Sequence, residues 1–306
     1  MVTSVSFTLL ESTHWTDYAL LDSGGGLKLE RFGEYVFVRP EAQAMWKRSL
    51  TAEWKNADAV FVPTGEESGG HWDFKKKVEE KWQMKYILDP SQVERGELRF
   101  WTMTTPGRHL GVFPEVAAHW DWFSGIIHHG VHREVNVLNL FGYTGLATLA
   151  AAAAGAKVTH VDASKKSVSW ARENQALSNL ADKPIRWIVD DALKFVQREA
   201  RRGTKYDGII LDPPKFGRGP KGEVWEVYKS LPGLLEACRE CLSNNPLFAV
   251  TTIYAVRASA IHVAQAMEDM MSGFGGKIEM GELVTREQSA GRLLSQAVYA
   301  RWQQEP

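Results

Sequence analysis

VNVLNLFGYTGLATLAAAAAGAKVTHVD, residues 135–162, is the stretch whose reading decides the fold. It reads strand, glycine turn, helix, strand. Val135, Val137, Leu138 and Leu140 form the apolar run of a strand covered on both faces. Asn139–Gly145, NLFGYTG, turns the chain sharply, and Gly142 and Gly145 supply the backbone freedom and close approach such a turn needs. Leu146–Ala154 is almost pure Ala and Leu, the strongest helix-forming composition, and Gly155 can cap it. Lys157–Val161 is a second strand, closed by Asp162.

Together these make one nucleotide-binding half, because ligands of open α/β sheets sit beyond the carboxyl ends of the strands. A carboxylate at Asp162 can accept from both hydroxyls of a ribose. Two kinds of cofactor use this arrangement, a dinucleotide and S-adenosylmethionine. The dinucleotide turn, G-x-G-x-x-G, brings a pyrophosphate to a helix N-terminus. NLFGYTG lacks that spacing and carries Phe141 and Tyr143 instead. A sulfonium cofactor has no pyrophosphate to cradle, so a methyltransferase is favoured over an NAD-dependent oxidoreductase. A glycine turn with no ligand is disfavoured, since turn and acid occur together.

Downstream the alternation is regular. A helix capped by Ser164 runs to Ser178, Ile185–Val189 is a strand ending in Asp190-Asp191, and Ala192–Arg201 is a helix. Tyr206–Leu211 is a strand ending in Asp212-Pro213-Pro214-Lys215, and a polar loop over Gly217–Gly222 leads into a largely helical Glu223–Leu242 interrupted by Pro232. Leu247–Ile253 is the next strand, a helix follows to about Met271, and Lys277–Val284 with Ser295–Trp302 form an antiparallel edge hairpin. Upstream, Val116, Ala117, Trp120, Phe123 and Ile127 recur at helical spacing within Glu115–Gly130.

Residues 1–110 read as a separate, small β-rich domain. Tyr18–Leu21 and Leu27–Glu30 flank a Ser23-Gly24-Gly25-Gly26 turn, Tyr35–Val38 continues as a strand, Pro40–Leu50 as a helix, and Glu97–Thr102 with Arg108–Val112 as a second hairpin. Eight of the twelve tryptophans stand at or before Trp122, available to stack bases or to fill the core. Lys75, Lys76, Lys77, Lys81 and Lys85 offer either phosphate contacts or a solvated helix face paired with Glu79 and Glu80. RNA contacts are therefore assigned to this domain, and the rest of the chain, 111–306, to catalysis.

The 306 residues carry a net charge of −1, so no global basic field advertises nucleic acid. Cys238 and Cys241 cannot make a disulfide framework. The N-terminus lacks a secretory pattern and no uncharged apolar run reaches membrane-spanning length, so a soluble, cytoplasmic protein is expected. His128, His129 and His132 stand where a helix ends, with no acidic or Cys partner at ligand spacing, and no metal is expected.

Acids or amides fall at four strand ends: Asn139, Asp162, Asp190 or Asp191, and Asp212. Each has a chemical task at a shared rim. Asp162 suits the ribose hydroxyls, and Asp190 or Asp191, the latter directly preceding Ala192, suits the adenine amine. Asn139 and the turn backbone suit the methionine end. In Asp212-Pro213-Pro214 two prolines lock the backbone and remove two N–H donors, leaving an acceptor-rich rim able to orient a base amine.

At these residues the sequence resembles the class I S-adenosylmethionine-dependent methyltransferases, and within them the large-subunit ribosomal RNA methyltransferase family with its N-x-F-x-Y-T-G turn and D-P-P-K-F loop, here Asn139–Gly145 and Asp212–Phe216. Asp162-Ala163-Ser164 and Asp190-Asp191-Ala192 match too, as does Gly111-Val112-Phe113-Pro114-Glu115, the segment that lines the family's cofactor pocket. Asp22–Arg39 is similar to that family's N-terminal extension. The resemblance implies an α/β, Rossmann-like seven-stranded sheet with a small β-rich N-terminal domain, and S-adenosyl-L-methionine bound by Phe113, Glu115, Asn139, Phe141–Gly145, Asp162–Ser164, Asp190–Ala192 and Asp212. It implies methyl transfer to a nucleobase of ribosomal RNA, with Asp212, Pro213, Pro214 and Lys215 at the reacting centre. Another methyl acceptor, or an RNA-binding module without chemistry, are the alternatives. One departure matters. Cytosine-C5 members carry a cysteine after the strand that follows the D-P-P loop, whereas here Val250–Arg257 has none.

Overall fold

The computed structural model describes residues 5–50, 52–64, 69–89, 91, 96–130, 133–254 and 258–305. After β1 (Val5–Glu11) comes a five-stranded sheet of β2 (Tyr18–Gly24), β3 (Leu27–Phe32), β4 (Tyr35–Pro40), then β5 (Ala59–Pro63) and β6 (Gly70–Phe74), with a one-turn helix α1 (Ala52–Lys55) between β4 and β5. β7 (Trp82–Ile87) and β8 (Glu97–Thr102) form an antiparallel pair. The remainder alternates. It runs through α2 (Ala117–Gly130), β9 (Asn136–Leu140), α3 (Leu146–Ala153), β10 (Lys157–Asp162), α4 (Lys165–Leu177), β11 (Ile185–Val189), α5 (Ala192–Arg201) and β12 (Gly208–Leu211). A hairpin of β13 (Phe216–Arg218) and β14 (Val224–Glu226) follows, then α6 (Val227–Glu240), β15 (Phe248–Ile253), α7 (Ala260–Met270), β16 (Lys277–Arg286) and β17 (Leu293–Gln303).

The central sheet has the order β1-β16-β17-β15-β12-β9-β10-β11. All seven expected strands are there, with β17 antiparallel to β15 and β16. β1 adds an eighth, parallel to β16. A boundary at residue 110 therefore does not divide the sheets: the unpaired edge of β16 presents N–H and C=O groups that a strand from the first segment satisfies. Strand order reverses between β9 and β12, so the switch point of the sheet lies between the glycine turn and Asp212.

Alternation along the strands builds two cores. Val137, Val158, Ile210 and Val250 face α2 and α3, packing with Trp120, Phe123 and Leu149. Leu138, Leu140, Ile209 and Ala249 face α5, α6 and α7, packing with Phe195, Leu234, Cys238 and Met267. The first core continues without a break into Trp82, Met84, Tyr86 and Phe100 of β7 and β8.

Several elements differ from the sequence reading. Residues 41–50 are not a helix but a strap over the β2–β3 turn. Its carbonyls at Trp46 and Ala44 accept from Gly25 and Gly26 N–H, and its Ser49 and Leu50 N–H groups donate to the fully buried Asp22 carboxylate. A helix would have to forgo these bonds. β8 pairs with β7 rather than with residues 108–112. The segment read as a lysine-bearing helix face has a period of two, with Trp82, Met84 and Tyr86 inward, and the lysines obscured it. The other edge of β8 is closed by α4 side chains: Ser178 Oγ accepts from Arg99 N–H and Asn174 Oδ1 from Trp101 N–H. The loop at Gly217–Gly222 is the tip of the β13–β14 hairpin, and α6 runs unbroken through Pro232 because Leu234, Leu235 and Cys238 anchor its buried face.

Candidate active site

The glycine turn is built on alternating left-handed residues: Phe141 (φ 59°), Tyr143 (φ 48°) and Gly145 (φ 86°). Non-glycine residues are rare there, and such conformations persist where surroundings over-determine them, commonly at binding sites. Here the surroundings are explicit. Gly142 N–H donates to Val161 O (3.1 Å), Tyr143 N–H to Asp162 Oδ2 (2.9 Å), and Thr144 Oγ1 to Gly111 O (2.7 Å). Gly142 is also a contact residue: a Cβ there would stand 2.4 Å from the ring of buried His160. His160 Nδ1 meets Thr148 Oγ1 (2.9 Å), which accepts from Asn139 Nδ2 (2.9 Å), and burial pushes the imidazole down to about 3. Asn139 thus lines the cleft while its amide N–H₂ serves the turn's foundation.

Asp162 stands at the end of β10 with Oδ1 accepting from Ser164 N–H (2.8 Å), and burial raises its carboxyl above the usual range. Ser164 caps α4, its hydroxyl accepting from Ser167 N–H. Of the two acids after β11, Asp190 is engaged on both oxygens, by Asp191 N–H and by Arg198. Asp191 caps α5 through Oδ1, which accepts from Lys194 N–H (2.9 Å).

The cleft itself lies between the turn, the start of α2 and the ends of β12 and β15. Phe113, Val116, His119, Asn139, Gly142–Thr144, Asp212 and Thr252 are among its walls. Phe113 packs against Tyr143 (5.8 Å between ring centres) and Tyr254 (5.2 Å). Burial, and then the charge of Glu115, push Asp212 up to about 8; Glu115 is itself raised by burial. Asp212 lines the cleft, and a cation bound beside it would favour its charged form. Pro213 is buried, while the Pro214 carbonyl accepts from Trp225 Nε1 (2.7 Å) and the Lys215 carbonyl from Val227 N–H (3.0 Å). The acceptor that this loop gives to the cleft wall is the Asp212 carboxyl. Trp225 also packs against Phe141 at a tilt of 59° (4.8 Å between ring centres), clamping the proline loop to the glycine turn.

Of the residues read from sequence, Phe113, Asn139, Phe141–Thr144 and Asp212 line one cleft, and Asp162 is tied to it through Tyr143 N–H, whereas Glu115, Gly145, Ala163, Ser164, Asp190–Ala192 and Pro213–Lys215 stand outside its lining. Sequence reading missed His119, Thr252, Tyr254 and Trp225. His119 alone carried a signal, a polar residue on the apolar stripe of Val116, Trp120 and Phe123. The lysines of the 75–85 segment each meet an acid: Lys75 with Asp73, Lys76 with Asp58, Lys77 with Glu79, Lys81 with Glu173 and Lys85 with Glu97. No metal-binding group of His, Cys, Asp and Glu occurs among the described residues, which exclude His132. No helix among them is long and apolar enough to cross a membrane.

The residues present fit S-adenosylmethionine: acids at Asp162 and Asp212 for a ribose and a cation, and a turn too crowded at Gly142 to accept a side chain. Comparison with known proteins agrees. Residues 119–224 match the family described as conserved hypothetical protein 95. The ribosomal RNA large subunit methyltransferase K/L of Shewanella frigidimarina is 38% identical over 112 residues, 36% of this chain and 15% of that protein. Its counterpart in Hahella chejuensis is 32% identical over 182 residues, 57% of this chain and 24% of that protein. The chain thus spans at most 24% of either curated relative. A methyltransferase structure from Streptococcus mutans shares the fold at 18% identity, with a TM-score of 0.66 over 95% of this chain and 76% of that one. The crystal structure of an S-adenosylmethionine-dependent methyltransferase from Agrobacterium tumefaciens is 46% identical, with a TM-score of 0.90, covering 100% of this chain and 98% of that one. On that end-to-end identity, the chain belongs to the S-adenosylmethionine-dependent methyltransferase family.

Proposed function

We propose that this methyltransferase modifies a nucleobase of RNA, ribosomal RNA in the first place, and does so at a nitrogen. The observation that carries the reading is the Asp212 carboxyl on the wall of the cofactor cleft, directly before the two prolines, an acceptor that matches an exocyclic amine. The names of the Shewanella and Hahella relatives support RNA as the class of substrate.

When bound, S-adenosylmethionine supplies a methyl group on a sulfonium. Asp162 holds the ribose, Asp190 or Asp191 the adenine, and Asp212 aligns the acceptor nitrogen. Transfer is an in-line displacement, so alignment accounts for much of the rate. Methylation at cytosine C5 would need a nucleophile to add to the ring. Cys238 and Cys241 are fully buried among Leu234, Phe195 and Val196, and burial raises both thiols, Cys241 to about 11. Neither can reach a base.

A tritiated-methyl assay offering undermethylated ribosomal RNA, bulk protein and small metabolites tests the substrate. Label confined to RNA is expected, and label confined to protein or metabolites would overturn the reading. A Cys238→Ala/Cys241→Ala variant should keep methyl transfer, and RNA containing 5-fluorocytosine should trap no adduct. A trapped adduct lost in that variant would return C5 as the target.

A further inference from the structure

The inner wall of the cleft carries polar groups that nothing in the protein satisfies. His119 is 3% exposed and neither ring nitrogen has a hydrogen-bond partner; Trp120, 2% exposed, has an unpartnered Nε1. Both residues line the cleft. A buried donor left unmade costs about 1–3 kcal/mol, so two on one turn of α2 call for an occupant. Two other polar walls are committed, Asn139 Nδ2 to Thr148 and Thr144 Oγ1 to Gly111 O.

We infer that this wall is the seat of the cofactor's amino-acid group: the N–H groups of His119 and Trp120 receive the methionine carboxylate, and Asp212 faces the ammonium. The lining is dipolar in the matching sense. On one side stand neutral donors with a cation behind them, since burial and then Arg301 of β17 hold the His119 imidazole well below its ordinary pKa. On the other stands Asp212, raised by burial and then by the nearby charge of Glu115. A zwitterion satisfies both sides at once, whereas an apolar or purely anionic group leaves one of them unmatched. The adenosine end has its own partners on β10 and β11, so the two halves of the cofactor are held by different elements and can be weakened separately.

The test is calorimetric binding of S-adenosylhomocysteine and of 5′-methylthioadenosine, which keeps the adenosine and the sulfur but lacks the amino-acid group. His119→Leu should weaken S-adenosylhomocysteine roughly ten- to a hundredfold, the loss of one bond to a charged group, and leave methylthioadenosine unchanged. Trp120→Phe, which keeps the ring packing, should repeat the pattern, and His119→Gln should recover part of the affinity. The ligand-free melting temperature of His119→Leu should not fall, because the nitrogens it removes have no partner. Equal losses for both ligands, or no loss for either, in Trp120→Phe and His119→Gln as well as His119→Leu, would overturn the inference. No RNA enters the measurement, so its failure leaves the nucleobase reading untouched.

Discussion

Asp212 shows how a single residue's surroundings become a measurable property. Its carboxyl, raised to about 8, binds a proton more tightly folded than unfolded, where it titrates near 3.8. A raised acid lowers stability as pH climbs through that window, from about 4 to about 8. The ligand-free protein should therefore lose melting temperature across it, and Asp212→Asn should flatten the decline; a scan with unchanged slope would remove Asp212 as its source. In the same variant S-adenosylhomocysteine binding should persist while turnover drops, because the side chain's proposed partner includes the base. Asp162 differs. It accepts from Tyr143 and Ser164 N–H and is left to receive ribose hydroxyls on its remaining lone pairs. Two charge-assisted bonds of roughly 1.5–3 kcal/mol each correspond to more than a hundredfold in affinity, at about 1.4 kcal/mol per tenfold. Asp162→Ala should lose that much by calorimetry, and near-normal binding would sink the assignment.

At the scale of the element, the glycine turn is held by what lies beneath it. His160 occupies the space a Gly142 side chain would need, and its own hydrogen bond runs through Thr148 to Asn139. Gly142→Ala must push the ring aside in a close-packed interior, which typically costs about 1–3 kcal/mol. A lowered melting temperature is expected, with partial recovery on adding His160→Ala; purely additive losses would show that the contact is not the cause. A second close approach stands nearby. Gly111 (φ 96°) would set a Cβ 2.4 Å from the Trp170 ring, and its carbonyl receives Thr144, so the chain reaching Phe113 is pinned to the turn it must face.

On the scale of the molecule, the small β-rich part and the catalytic part share structure. β1 completes the central sheet, one core runs from β7 and β8 into α2, and Ser23 donates to Glu287 (2.5 Å) while Ser289 donates to Asp22 (2.6 Å). Calorimetry of the whole chain should show a single transition with equal calorimetric and van't Hoff enthalpies. A fragment of residues 111–306 should lack fixed near-ultraviolet dichroism, since it loses an edge strand and half a core. Two resolved transitions would instead make the parts independent.

Periodicity, turn chemistry and the acids at strand ends were enough to read the doubly covered sheet, the turn, the cap at Ser164 and the place of Asp212 on the wall of the cleft. These are local properties, and each repeats with the spacing of a strand or a turn. Pairing is not local. Nothing near Val5–Glu11 says that it closes the far edge of the catalytic sheet, and nothing near Pro40–Leu50 says that the Asp22 carboxylate and a glycine turn will take its backbone groups away from a helix. The ion pairs that neutralise Lys76 and Lys81 come from residues 18 and 92 positions away. His119 looks from the sequence like one polar residue on an apolar helix face. Only the packing of that face against β15 and β17 leaves its nitrogens without partners and turned it into a candidate for binding.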